Sequence, residues 1–284
     1  MASPALQLLT STAIFSAPLV LGGLGALTSE RSGVINIGIE GKMLFAAWAA
    51  ALGGWASGNP IVGLLAAVLA ATVISQAHWA LTQAFRIDHV ISGMGLNAIA
   101  AGATSMLNKS VLSRFAGTRA AALPLPFFWV GAVLATVAVA YVLNQTRGGL
   151  RLSAVGHDPE KARQVGLKPV AVRFRALLAT GLLAGLAGSL LVSNAGGFTD
   201  NMTSGRGYIA LAAVILGGWR PWPTLAACVL FGFADALQLQ LQGTGLWGAA
   251  LPPEAWQCLP YVATLVALMA KWGGTKAPAG LGRF

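Results

Sequence analysis

Charge is the first thing this sequence lacks. Only 9% of its 284 residues are Asp, Glu, Lys or Arg, and just 8 are acidic, where an ordinary soluble domain carries about 25% charged residues. A chain that is 56% hydrophobic cannot hide its apolar surface in one soluble core. Cysteine is nearly absent too. Cys228 and Cys258 lie in apolar surroundings without metal-ligand spacing, so both read as buried small hydrophobes rather than a disulfide or a metal site. The chain lacks the GxxxxGKS/T loop that cradles nucleotide phosphates, so ATP chemistry cannot be assigned to it. No His/Asp/Glu or Ser/His arrangement has catalytic spacing, which leaves no catalytic residue to name. No basic stretch precedes the first apolar run, which argues against a cleaved signal peptide.

What the chain does have is apolar runs. Residues 6–27, 61–85, 90–107, 127–143, 176–193, 224–240 and 255–272 approach or exceed the length a membrane helix needs, about 20 residues. Two more are short. Residues 43–57 make about 22 Å of helix and residues 208–218 about 16 Å, against a hydrocarbon core of about 30 Å. The second ends in Gly217-Gly218 and predicts a broken or re-entrant helix, which is allowed only where protein or water covers the irregular backbone. The fold class expected is all-α: a polytopic membrane protein of about eight or nine segments, some short or re-entrant, forming one transmembrane domain over residues 1–284. The 36 glycines and 9 tryptophans fit close-packed membrane helices with aromatic anchors at the interfaces.

Between the apolar runs, residues 144–175 form the one extended polar segment. It holds seven of the 18 basic residues: Arg147, Arg151, Lys161, Arg163, Lys168, Arg173 and Arg175. Short basic loops are retained on the cytoplasmic side, and this one orients the chain, placing Arg31, Arg86, Arg220 and Lys276 on the same side. Asp158-Pro159-Glu160 places a cap and an N1 proline ahead of a polar run ending at Gly166 and Pro169, which predicts a helix of about two turns. So short a polar helix packs against something; it is either a solvated connector or a docking element. The net charge of +10 raises nucleic-acid binding, but the cations cluster at the ends of apolar runs, so lipid headgroups are the acidic partners expected.

Polar residues inside or beside apolar runs are the remaining candidates. In residues 28–42, Glu30, Arg31 and Glu40 should face water, a protein partner or each other, and Gly33, Gly38 and Gly41 permit tight turns. His78 reads as a hydrogen-bonded packing residue or as a group facing an aqueous path, and Asn97 carries the same alternatives. Asp235 is expected to be paired or near the outer interface, with proton coupling as its alternative role. Small residues in 181–188 allow a close helix approach, and residues 194–207 form an outer loop or vestibule. A Gly-rich connection leads into a short apolar segment twice, at 41–48 and 205–214, as in a duplicated transporter core.

Four stretches, ERSGVINIGIEGKML (30–44), HVISGMGLNAIA (89–100), GLRLSAVGHDPEKARQVGL (149–167) and GYIALAAVILGGWRP (207–221), resemble in order the permeases of ATP-binding-cassette importers for nucleosides and simple sugars. The match is to the shorter of two paralogous permeases in that family. The resemblance implies a translocation subunit of the bacterial inner membrane. Its loop at 145–175 would be the cytoplasmic coupling loop, with Asp158, Glu160, Arg163 and Gly166 meeting an ATPase, and Asn36, Glu40, Asn97 and Tyr208 would be path or gate residues. It implies a second permease, cytoplasmic ATPase domains carrying ATP and Mg, and an extracytoplasmic binding lipoprotein, with no cofactor or metal in this chain and no nucleic acid. An ion-coupled secondary transporter or a membrane scaffold are the rival readings from the residues alone.

Overall fold

The computed structural model describes residues 3–115, 119–242, 245–246, 249–250, 256, 258, 262, 265–266, 269 and 277–283. Ten α-helices are found in them. These are α1 (Pro4–Glu30), α2 (Ile39–Ser57), α3 (Pro60–Trp79), α4 (His89–Ser110), α5 (Leu125–Gln145), α6 (Arg147–His157), α7 (Pro159–Gln164), α8 (Pro169–Ala195), α9 (Arg206–Leu216) and α10 (Pro221–Leu241). Helix α3 continues through a π-helical turn, Ala80–Ala84. Two-residue strands, β1 (Gly245–Leu246) and β2 (Ala249–Ala250), pair antiparallel beyond α10. The span expected at 255–272 falls largely outside the described residues.

Helices α1, α3, α4, α5, α8 and α10 are long and apolar enough to cross a membrane, which makes the chain a multi-pass integral membrane protein. Helix starts follow simple rules: Ser3, Asn59 and Asp88 cap α1, α3 and α4 through their side-chain oxygens, and proline occupies the first turn of α1, α3, α5, α8 and α10. Left-handed glycines end α2 at Gly58 and α8 at Gly196.

Helices α1, α2 and α8 form the centre. In lipid there is no hydrophobic force between helices, so contact depends on close fit. A Cβ at Gly181 would sit 2.5 Å from the Thr72 Cα, one at Gly185 2.5 Å from the Val68 Cα, and one at Gly188 2.5 Å from the Met43 carbonyl oxygen. The small-residue run expected to allow close approach therefore seats α8 against both α3 and α2. By contrast α3 and α5 bury few residues and turn Leu65, Leu69, Val133 and Leu134 outward, as helices facing lipid do.

Three local expectations change. Residues 144–175 are more helix than loop: α5 runs to Gln145, α6 and α7 fill the middle, and α8 begins at Pro169. Arg173 lies within α8 and is fully buried, a structural group and not a solvated loop cation. Cys228 is buried as expected, but Cys258 is exposed.

Candidate functional site

The segment joining α1 to α2, residues 31–38, is the knot around which the polar groups gather. Gly33 takes a left-handed conformation, φ 94°, which turns the chain back on itself. Gly38 and Gly41 serve by absence of bulk instead: a Cβ on Gly38 would lie 3.3 Å from the Gly93 Cα, and one on Gly41 2.9 Å from the Asn97 Cα. Helix α4 thus lies directly over the start of α2.

Two carboxylates hold the short helix α9 at its two ends. Glu40, in the first turn of α2, accepts the backbone N–H of Gly205 at 2.8 Å and of Gly207 at 2.6 Å. It caps a helix whose own N-cap, Gly205, has no side chain to do so. Anionic groups are favoured at a helix N-terminus, where unpaired N–H groups and the macrodipole converge. Glu30, the last residue of α1, accepts the indole N–H of Trp219 at 2.6 Å, just beyond the other end of α9. The backbone is irregular on both flanks: Asn201, Ser204 and Gly205 before α9, and Gly218 and Trp219 after it, all have positive φ. Non-glycine residues in that region carry strain that the surroundings must hold in place.

Expected path residues come together here. Asn97 accepts the Gly41 N–H at 2.8 Å through Oδ1 and donates through Nδ2 to the Ile37 carbonyl and the Tyr208 hydroxyl, both at 2.9 Å. Both amide atoms thus bond within the protein, joining α2, α4 and α9. Tyr208 is 47% exposed, whereas Asn36, Glu40 and Asn97 are buried. Of the four, only Tyr208 presents a substantial surface to the exterior.

Asn36 sits one step away, donating to Ser29 Oγ at 2.9 Å and accepting from Lys42 Nζ at 2.5 Å. Sequence reasoning missed Lys42. It is fully buried and lies 3.0 Å from His78 Nδ1, which makes His78 the hydrogen-bonded packing residue expected. Among the described residues no ion pair joins Glu30, Arg31, Glu40 and Lys42: these groups use backbone N–H, indole, amide, hydroxyl and imidazole partners instead. The only signal for Lys42 was its position four residues after the glycine that starts α2.

A second polar group lies where α6, α7 and residues 31–33 meet. Asp158 accepts the N–H groups of Glu160 and Lys161, at 3.1 and 3.0 Å, as the N-cap of α7. The Lys161 N–H leads in holding its carboxyl below the usual range, so the cap persists at neutral pH and weakens only as acidification reaches that lowered value. Arg163 pairs with Glu160 at 2.7 Å on the exposed face, while Pro159 and Ala162 are buried beneath. Gly166, φ 83°, ends the element as a left-handed residue. Helix α6 was not foreseen; its Gly156 is pressed so close that a Cβ there would lie 2.0 Å from the Arg31 carbonyl oxygen, and Arg31 donates to Ser153 at 2.8 Å. The buried Arg173 guanidinium reaches the Ser32 carbonyl, Gln83 Oε1 and the Arg283 carbonyl at 3.2, 2.7 and 2.6 Å, tying α8, the π-helical turn and the chain end to residues 31–33.

At the opposite end, residues 199–202, Ser204 and Arg206 line an open crevice of about 450 Å³ with Phe15 and Asn194. Asp200 accepts from Asn108 at 2.9 Å, so this loop is fastened to α4. Asp235, in α10, is partly buried. No cluster of metal-ligating side chains occurs among the described residues.

Comparison with known proteins gives these groups a context. The model of the family described as branched-chain amino acid transport system / permease component matches residues 8–268. The guanosine ABC transporter permease protein NupQ of Bacillus subtilis (strain 168) is 32% identical, over 96% of this chain and 94% of its own length. TsgC13 of Haloferax volcanii, named provisionally as a glucose ABC transporter permease protein, is 34% identical over 87% of this chain and 80% of its own. Among solved structures, an inward-facing ABC transporter, named provisionally as metal-chelate type, shares the fold with a TM-score of 0.58 and 16% identity, over 93% of this chain and 86% of that one.

Proposed function

This chain belongs to the branched-chain amino acid transport system permease family, and from that premise we propose that it is the translocation subunit of an ATP-driven importer for a nucleoside, with a simple sugar as the alternative solute. Similarity to a guanosine permease along nearly the whole of both chains carries the nucleoside reading; the relative named for glucose keeps the sugar in view. The membrane is the cytoplasmic membrane, and the face bearing α6 and α7 is its inner side.

In this reading α7 is the coupling helix. The features that support it are an exposed, capped, charged helix on one end of the protein and rigid seating of the adjoining α6 on residues 31–33. An ATPase that pushes on Glu160 and Arg163 moves α6, and α6 bears on the segment between Glu30 and Glu40, the two carboxylates that hold the ends of α9. The short helix α9 is then the moving part, and Tyr208 on its first turn meets the solute. A second permease, ATPase domains supplying ATP and Mg, and an extracytoplasmic binding lipoprotein complete the assembly. An ion-coupled carrier or a scaffold has no observation in its favour.

Two experiments test this. Replacing Glu160 and Arg163 together by Ala should leave the assembly intact, since an exposed pair contributes little to folding. It should also lower solute-stimulated ATPase activity and uptake into proteoliposomes by about tenfold, equal to about 1.4 kcal/mol of lost coupling contact. Wild-type values in both assays would remove α7 from the coupling role. Tyr208→Ala should raise the half-saturating guanosine concentration for uptake, while Tyr208→Phe, which keeps the ring and loses only the hydroxyl that accepts from Asn97, should do so less. Equal and unchanged values for both would take Tyr208 off the path.

A further inference from the structure

A crevice of about 800 Å³ opens on the α6 face, and neither α7 nor Tyr208 lines it. Its walls come from three places: residue 31, α5 and α6 on one side, the turn 218–220 and the first residues of α10, 221–223, on the other, and Ala277-Pro278 at the edge. Arg31, His157 and Arg220 line it, and among the described residues no Asp or Glu does. Ser153 adds a hydroxyl. Arg31 is partly buried and uses one terminal nitrogen on that hydroxyl; the Arg220 side chain is exposed and takes part in no hydrogen bond or ion pair among the described residues. In the sequence, Lys271 and Lys276 precede the lining residues Ala277 and Pro278.

So one-signed a cavity, at the level where α5 ends and α10 begins, wants an anion. Its apolar walls say which kind. Leu150, 71% exposed, and Trp222, 53% exposed, stand beside the cations. A free phosphate has no use for an exposed leucine and indole, whereas the glycerol and first methylenes of a phospholipid do, and tryptophan prefers that depth. Basic pockets between helices at the inner membrane surface are suited to anionic headgroups.

We propose that this crevice binds the headgroup phosphate of an anionic phospholipid, held by Arg220 and Arg31 with Trp222 and Leu150 against its glycerol and acyl root. The bound lipid bridges α6 to the turn that follows α9. It therefore joins the coupling loop to the end of the short helix through a membrane component, and anionic lipid becomes part of the linkage.

The test reads lipid and not transport, so it stands or falls separately from the proposed function. The purified assembly is exchanged into nanodiscs of phosphatidylcholine with phosphatidylglycerol, extracted, and examined by native mass spectrometry for retained lipid. Wild type should retain phosphatidylglycerol over phosphatidylcholine. Arg220→Gln and Trp222→Ala should each lower that retention, the first by about fivefold for one lost surface cation. Arg86→Gln, an exposed cation expected on the same side that does not line the crevice, should leave it unchanged. Thermal unfolding of each variant checks that the fold survives, and Arg220→Lys, which keeps the charge, should recover part of the retention. Equal retention by wild type and Arg220→Gln, or an equal loss in Arg86→Gln, overturns the proposal. Calorimetric binding of inorganic phosphate to wild type but not Arg220→Gln, without lipid preference, overturns the lipid assignment in favour of a soluble anion.

Discussion

Glu40→Ala is expected to destabilise the protein by about 2–4 kcal/mol, because it strips the acceptor from one buried backbone donor, at about 1–3 kcal/mol, and from a half-buried one, at about 1 kcal/mol. The donors are the N–H groups of Gly205 and Gly207, which meet the two carboxylate oxygens separately. The Gly207 donor is the tightly enclosed one, since a mere Cβ there would lie 2.6 Å from the Glu40 Cα. The N-terminus of α9 is then left unsatisfied inside the bundle, where nothing replaces a missing partner. Glu40→Gln is the sharper variant. Its amide oxygen can accept one N–H, but its NH₂ group faces the other donor, so an intermediate loss is expected. Thermal unfolding in detergent reads both, with a fall in Tm of more than about 4 °C for Ala, and uptake should drop at least about tenfold as α9 loses its seat. A Glu40→Ala protein with wild-type Tm and uptake would show that the carboxylate is not what holds α9.

Gly156→Ala should be the most damaging single methyl on the face bearing α6 and α7. The added Cβ would lie 2.0 Å from the Arg31 carbonyl oxygen and 2.8 Å from its carbon, both backbone atoms, so no side chain can swing away to relieve it. Overpacking of this kind costs about 1–3 kcal/mol. Relief requires α6 to move off residues 31–33, which also loosens the hydrogen bond from the Gly280 N–H to the Gly156 carbonyl. Because α6 carries α7, the expected result is an assembled transporter whose ATP-dependent uptake falls at least about tenfold while ATP hydrolysis continues. Gly95→Ala is the matched control, since its methyl would meet nothing within 4 Å. Uptake by Gly156→Ala equal to that of Gly95→Ala would mean the α6 contact does not transmit.

Much of this architecture was legible in the chain because membrane spans are written in length and hydropathy, quantities that need no partner. The capped helix at 159–164 was legible for a similar reason: Asp158, Pro159 and Gly166 act within a few residues of themselves. Helix α6 was not, since RGGLRLSAVGH (147–157) has two glycines in its first turn and a single narrow apolar face, and it takes its order from contact with α5 and residues 31–33. Arg173 read as one more loop cation because its three carbonyl and amide partners lie at Ser32, Gln83 and Arg283, far off in sequence. The glycines of 31–44 were expected to act through turns. One does, by positive φ at Gly33, while Gly38 and Gly41 act through what they let approach, and that is a property of α4 as much as of themselves.

By itself, then, the sequence determined that this is a multi-pass membrane protein, which runs are long and apolar enough to cross a membrane and which family it belongs to, because each of these rests on local composition and order. The tertiary structure alone decided that Glu30 and Glu40 serve the two ends of one short helix, that Asn97 joins three helices through both its amide atoms, and that Lys42 is buried with an amide and an imidazole. The physical reason is the same for all three. A polar group removed from water must find a partner, the sequence shows only that the need exists, and the partner is supplied by chain as much as 189 residues away.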